Sequence, residues 1–428
     1  MVALVAETQL DAVMEGISVT QTKADNQLAD VGKVAAAEWG SYIEPLLPLG
    51  EKLVGRMQDP DDPHLRREMY RLLMSGVSMG YFGLFHGGDP RYPDYWPNLN
   101  MAYNWGNPNP DDCYYGLSLE GKGVYLISGF RGTVRIIDFQ IGGGEFYPRG
   151  GPPGPAYAHY DVDSLKIAEN GWFEVVLSAT RPEGHEGNWW ELHPDATYAL
   201  VRQRSYDWLN EIDGRLAIER IDLPAMRPRT SEEQLEIDLH QIPVWAENWT
   251  TFMIDMVDRY REMGLVNNFA LFDYGDEGGL LGAKQQYVGG IFELEEGEAL
   301  IYETDVPDQA RFWNITVNDP NWSAIDYVNR QSHFNGHTAT IDTDGRFRAV
   351  ISPVDPGVPN WLDTGGYLDG VVFGRWMECS SFPEPEARKV RLDEVRKFLP
   401  ADTATVSKQE RDAAVRLRRR SHQMRKRW

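Results

Sequence analysis

The chain repeats itself at a nearly fixed distance. Asn170–Ser178 (Asn-Gly-Trp-Phe-Glu-Val-Val-Leu-Ser), then Asn188-Trp189-Trp190-Glu191 and Arg202, is answered by Asp344–Ser352 (Asp-Gly-Arg-Phe-Arg-Ala-Val-Ile-Ser), then Asn360-Trp361-Leu362-Asp363 and Arg375. The glycines lie 174 residues apart, the Asn-Trp pairs 172 and the arginines 173. Upstream, Arg135–Ile141 matches Arg311–Val317 at 176, Gly116–Ile127 resembles Gly290–Ile301, and His159 and His333 are again 174 apart. Ordered matches at one offset indicate two copies of a single structural unit, about residues 98–228 and 268–400.

Each copy reads as β. Val134–Ile141 and Phe347–Ile351 have the β-branched content of strands. Asn170-Gly171, Asp213-Gly214 and Asp344-Gly345 mark turns. No βαβ alternation is present, so the expectation is a mainly β chain: two tandem jelly-roll-like β-sandwich domains from an internal duplication, with N-terminal and linking α-helices. Residues 1–97 form a helical lead-in, with helix expected over 25–58 and 64–80. Residues 229–267 link the copies. There Ser231-Glu-Glu-Gln234 is a capping pattern, and Trp245, Trp249, Phe252, Met253, Met256 and Tyr260 make one apolar stripe. Pro243 is expected to split this segment into two helices. The Pro/Gly run 148–157 is expected to be a loop, and residues 401–428 a basic helical tail.

The 428 residues carry a net charge of -23, which argues against nucleic acid and anionic membrane as partners. Seven basic residues and no acids lie between Arg416 and Trp428. Such a tail is expected to lie across its own acidic body or a symmetry mate, which leaves a homo-oligomer open. The two cysteines, Cys113 and Cys379, do not make a disulfide framework, and a reduced, cytoplasmic protein is the simpler reading. No apolar run approaches the ~20 residues of a membrane span, and Met1–Glu7 lacks the basic region of a secretory signal.

The run Val354-Asp-Pro-Gly-Val-Pro-Asn-Trp-Leu-Asp-Thr364, followed by Gly374-Arg-Trp376, resembles the C-terminal signature of the DUF1214 domain family, as does Phe312-Trp-Asn-Ile-Thr-Val-Asn318. Gly187–Leu192 with Arg202–Trp208 is similar to the matching segment of long family members. Asn107-Pro-Asn-Pro110, leading into Tyr114-Tyr115, resembles the DUF1254 domain that often precedes it. The resemblance covers roughly residues 95–400. It implies a jelly-roll-like sandwich and carries no catalytic residues over.

Phosphate-loop, zinc-protease, nucleophile-elbow and Cys-x-x-Cys motifs are absent. Gly142-Gly-Gly144 follows a strand but opens no helix, so it is not a phosphate cradle. Three polar sets remain. Asp326–His337 packs Asp326, Tyr327, Arg330, His333, Asn335 and His337 together. In an extended segment the last three share a face, suited to acid–base work or a metal. His159, Asp161 and Asp163 alternate onto one face and could hold a divalent cation. The Asn-Trp-acid pairs offer Trp189, Trp190 and Trp361 as stacking faces, Asn360 and Arg375 as hydrogen-bonders, and Glu191 and Asp363 as a glycosidase-type carboxylate pair. A salt bridge to the following arginine is the alternative for at least one of those acids. His185 and His193 read as solvated. With aromatics at 12% of the chain, these sets suggest a cofactor-free hydrolase or lyase acting on a glycoside or other ring-bearing small molecule. His333, His337, Asp363, Glu191 and Asp326 are the candidate catalytic groups, and a divalent metal is left open. A non-catalytic carbohydrate- or small-molecule-binding sandwich and a structural scaffold are the competing readings.

Overall fold

The computed structural model describes residues 36–104, 106–144, 150–151, 153–274 and 285–425. The first copy contains β1 (Trp96–Pro97), β2 (Asp112–Ser118), β3 (Tyr125–Phe130), β4 (Ile136–Gly144), β5 (Pro153–Asp161), β6 (Trp172–Ser178), β7 (Trp189–Glu191), β8 (Ala196–Arg204) and β9 (Arg215–Arg220). They form a five-stranded sheet ordered β1-β2-β8-β4-β5 and a four-stranded sheet ordered β7-β6-β3-β9. The second copy contains β10 (Ala270–Phe272), β11 (Gln285–Glu293), β12 (Glu298–Asp305), β13 (Ala310–Asn318), β14 (His333–Asn335), β15 (Arg346–Ser352), β16 (Trp361–Asp363), β17 (Asp369–Cys379) and β18 (Glu386–Arg391). Its sheets, β10-β11-β17-β13-β14 and β16-β15-β12-β18, repeat the first copy strand for strand. The chain is therefore mainly β and built of two β-sandwiches.

Period-two alternation fixes which side chains enter each sandwich. In β4, Ile137, Phe139 and Ile141 join Ile127, Val175 and Val201 in the first core. In β13, Trp313, Ile315 and Val317 join Tyr302, Ala349 and Val372 in the second. The intervening residues point away from their own core and are nonetheless buried, because the outward faces of the two five-stranded sheets meet each other. Ile136, Phe312 and Met377 pack across this seam.

Helices close one side of the seam. Among the described residues of the lead-in are α1 (Trp39–Ile43), α2 (Leu49–Val54) and α3 (Pro63–Tyr81); the helix expected over residues 25–35 lies outside the described residues. Asp62 caps α3 by accepting from the backbone N–H groups of His64 and Leu65. The linker is one helix, α4 (Glu232–Glu262), capped by Ser231, whose side chain accepts from the Gln234 N–H. The break expected at Pro243 does not occur. The proline is buried within the helix, and the stripe around it packs on α3 so closely that a Cβ on Gly76 would stand 3.2 Å from the Ala246 Cα. Tertiary packing outweighs one lost helical hydrogen bond. The expected 148–157 loop is also shorter, because β5 begins at Pro153; residues 145–149 and 152 lie outside the described residues. β5 ends its sheet, and at an edge a proline's missing N–H interrupts no ladder.

The tail forms α5 (Lys408–Met424), opened by a Ser407–Glu410 capping box. It lies across its own protein. Arg411 bonds Asp355 at 2.9 Å, Arg418 bonds the Tyr327 carbonyl and His333, and Arg425 bonds Asp213 at 2.8 Å. Among the described residues no helix is long and apolar enough to cross a membrane. Cys113 and Cys379 form no disulfide.

Candidate functional site

The polar side chains that β4, β8, β13 and β17 turn outward collect in the seam. Asp112 and Arg204 form a buried bidentate pair at 2.8 and 2.9 Å, and Arg204 lies 4.6 Å over the Phe312 ring of the other copy. Asp111, fully buried, accepts from Trp208 (2.9 Å), Asn335 (2.6 Å), Asn314 (3.1 Å) and His333 (2.8 Å). Asn107 takes a positive φ of 50°, which asparagine tolerates better than most residues. This turns its carbonyl to the Arg375 guanidinium, 3.3 Å away.

His333 belongs to this knot and not to an open site. It has no exposed surface and stacks on Trp208 with centroids 5.5 Å apart. Its Nε2–H donates to Asp111 and its Nδ1 accepts from Arg418 at 2.7 Å, a tautomer assigned from these partners. Burial, together with the Arg418 charge, pushes its pKa down against the pull of Asp111. Burial also works against the Asp111 charge, but His333, Asn335 and Trp208 hold that carboxyl below the usual range. Asn335 spends its amide on Asp111 and the Tyr206 carbonyl. His337 is more than half exposed, 3.8 Å from Asp207, so the expected shared face of His333, Asn335 and His337 does not make one site.

An arrangement with more chemical capacity lies on β4, β5 and β8. Register places Asp138 opposite both Arg202 and Asp161, and Gln140 opposite His159. Asp138 has no exposed surface. Arg202 donates to its Oδ1 at 3.3 Å and to Gln140 Oε1 at 2.9 Å. His159 Nε2 stands 3.6 Å from the same Oδ1. Burial opposes the Asp138 charge, yet His159 and Arg202 hold its carboxyl far below the ordinary range. Tyr114, Tyr198, Tyr287 and Phe373 are buried around these groups, and Arg202 lies 5.9 Å over the Tyr114 ring. The proposed cation set is not assembled. Asp161 pairs with Arg311, and Asp163 with Arg131 and Arg311. Among the described residues no three His, Cys, Asp or Glu side chains gather as ligands.

Other sequence candidates gather under α5. Asp326, Arg330, Trp361 and Asp363 line an open cleft of about 590 Å³ with Arg416 and Arg419. Arg330 is paired to Asp363 at 2.9 Å; this is a salt bridge, but to a preceding arginine and not to the following Arg375 that the sequence suggested. Asp326 caps the Val328 and Asn329 N–H groups. Trp361 is 9% exposed, with the Arg411 guanidinium 5.3 Å over its ring, so it offers no free stacking face. Tyr327 lines a neighbouring pocket of about 310 Å³ with Cys113, Tyr114 and His422. Asn360 bonds the Thr340 N–H and the Thr340 and Arg348 carbonyls, and Asn188 does the same at Lys166 and Glu174. Each pins a short parallel strand. Trp190 fills the first core, and Trp189 donates to Ser178 Oγ at 3.0 Å. Glu191 is exposed on β7, so it and Asp363 sit on the outer sheets of different sandwiches and do not form a carboxylate pair. His185 bonds the Asn188 carbonyl, and His193 stacks on Tyr157 at 3.8 Å.

Sequence reasoning missed Asp138, Asp111, Asp112 and Arg204. The available signal was an acid inside an otherwise apolar strand, Ile136-Ile137-Asp138-Phe139, where a charge persists only if paired.

No curated protein matches the chain. Among solved structures, an uncharacterized protein from Burkholderia cenocepacia is 28% identical, with 83% of this chain and 96% of that chain covered and a TM-score of 0.75. The VPA0106 protein from Vibrio parahaemolyticus is 11% identical over 79% of this chain and 100% of that one, at a TM-score of 0.41, too slight to carry an argument. Residues 295–370, from the turn before β12 into the start of β17, match the family model described as a protein of unknown function, DUF1214.

Proposed function

We propose that the chain is a cofactor-free hydrolase or lyase acting on a ring-bearing small molecule, a glycoside among the candidates, in the aromatic seam between the sandwiches, and that its first sandwich is DUF1254-like. The observation that carries this reading is the His159–Asp138–Arg202 set. Imidazole exchanges a proton near neutral pH, and His159 keeps 9% of its side chain exposed while Asp138 keeps none. Asp138, held as a carboxylate by Arg202 and His159, orients the ring and stabilises the imidazolium that forms when His159 takes a proton. It does not itself take one. The 3.6 Å separation is longer than a hydrogen bond, and such contacts commonly tighten when substrate binds. The tyrosines supply flat apolar walls. Absence of nucleotide motifs from the sequence supports cofactor-free chemistry, and two cysteines that form no disulfide fit a reducing, cytoplasmic setting.

The test is a screen of nitrophenyl glycosides, ring esters and lactones on the wild type and His159→Asn. The expected result is turnover by the wild type that falls about 10²–10⁴-fold in the variant with the melting temperature unchanged. Equal turnover by both would remove His159 from the chemistry. The open cleft at Arg330 and Asp363 favours a second reading, a binding module. Compounds that raise the melting temperature but come back unaltered support that reading instead.

A further inference from the structure

We infer that Arg375 is the anchor for a carboxylate on the ligand, so the seam takes ring-bearing carboxylic acids. This names the substrate class of the site proposed above and rests on that reading.

The duplication supplies an internal comparison. In the first copy, cross-strand register sets Arg202 opposite Asp138. In the second it sets Arg375 opposite Asn314. The guanidinium is kept and its counter-charge is lost. Arg375 is 6% exposed and cannot discharge, because a guanidinium does not deprotonate in proteins. It donates to the Asn107 carbonyl at 3.3 Å and lies 4.9 Å over Phe373. Among the described residues no carboxylate forms an ion pair with it, and the acids of the seam are committed elsewhere: Asp111 to His333, Asp112 to Arg204, Asp138 to Arg202. A buried, unpaired charge is strongly unfavourable, so its retention needs a reason outside the protein's own contacts.

The neighbouring atoms say what would answer it. Arg375 Nη1 and Asn107 Nδ2 are both buried donors with no acceptor among the described residues, on two residues already in contact. An unanswered guanidinium N–H and an unanswered amide N–H on two contacting residues, with one positive charge, suit a planar monoanion such as a carboxylate. A phosphate dianion would bring a second charge close to Asp111 and Asp112. The Arg375 charge also acts on the phenols of Tyr114 and Tyr260, and Tyr287 and Phe373 pack beside them, so the rest of the ligand meets aromatic walls.

The experiment compares benzoate, cyclohexanecarboxylate and glucuronate with their neutral amides, at about 10 mM, a concentration suited to ligands of this size, by thermal shift on the full chain. Wild type should be stabilised by the acids and not by the amides. Arg375→Met should lose the shift at least tenfold in apparent affinity, and without ligand should melt no lower than wild type, since it removes an unpaired charge. His159→Asn should keep the shift and lose turnover. Acids that fail to shift the wild type, acids and amides that shift it alike, or a lower ligand-free melting temperature in Arg375→Met would each overturn the assignment. Retained turnover in His159→Asn with an intact carboxylate shift would sink the acid–base reading alone.

Discussion

Replacing His333 with alanine separates a structural knot from a catalytic residue. The substitution removes two hydrogen bonds that each involve a charged group, to Asp111 at 2.8 Å and from Arg418 at 2.7 Å. Such bonds contribute about 1.5–3 kcal/mol each. Asp111 keeps Trp208, Asn335 and Asn314, but the partly buried Arg418 loses its ring acceptor. Breaking a buried charged set in this way costs about 3–5 kcal/mol. At about 2–4 °C per kcal/mol, calorimetry should find the unfolding midpoint lower by roughly 10 °C. There is also a pH signature. His333 is depressed below its ordinary pKa, so the unfolded chain binds the proton more tightly. Its contribution is therefore present above about pH 6.5 and is lost as pH falls through the folded value. His333→Ala should flatten the wild-type stability profile in that window. A variant that melts with the wild type and keeps the wild-type pH slope refutes the knot.

Asp319 tests the opposite sign. Burial pushes its carboxyl up to about 7, so wild-type stability is lost as pH rises through 7; Asp319→Asn keeps the bonds to the Asn321 and Ser323 N–H groups and should be more stable at pH 8 by up to about 4 kcal/mol, but no more stable at pH 4, in urea unfolding. Asn360→Ala strands three polar partners and should cost about 2–4 kcal/mol, against about 1–2 kcal/mol for Asn188→Ala at its more exposed twin; equal losses would contradict the burial argument. In the tail, Arg425→Ala removes a guanidinium shared by Asp213 and the Asp111 and Gln203 carbonyls and should cost about 3–5 kcal/mol. Exposed Arg416→Ala should stay within about 0.5 kcal/mol, and chemical denaturation of the pair would detect any reversal.

What the sequence revealed and what it hid follow from the range of each interaction. The duplication, the strand alternation and the Ser231 cap are local or periodic patterns, and all were readable. Alternation in β4 and β13 turns Asp138 and Asn314 away from their own cores. Alternation alone cannot say that a second sheet covers them, so neither residue stood out as a candidate. The same gap misplaced His333. Its decisive partner, Asp111, lies 222 residues earlier, and a dense polar run such as Asp326–His337 looks alike whether it lines a cleft or ties two sheets together. Pro243 was misread for a related reason: the local rule for proline was outweighed by contacts with α3 that no window around it contains.

The reach of Arg418 and Arg425 back into the seam bears on the order in which the molecule can be assembled. Asp111 and Asp213 belong to the half of the chain synthesised first, yet their partners His333 and Arg425 come 222 and 212 residues later, in the second sandwich and the segment after it. Until those arrive, the first sandwich carries acids without these partners and an outward sheet face without its cover. The two repeats look like separable beads on a string, but neither is equipped to be excised. Material made as the first repeat alone should be a sticky, acid-rich intermediate, and the native state should form in one late, concerted closure.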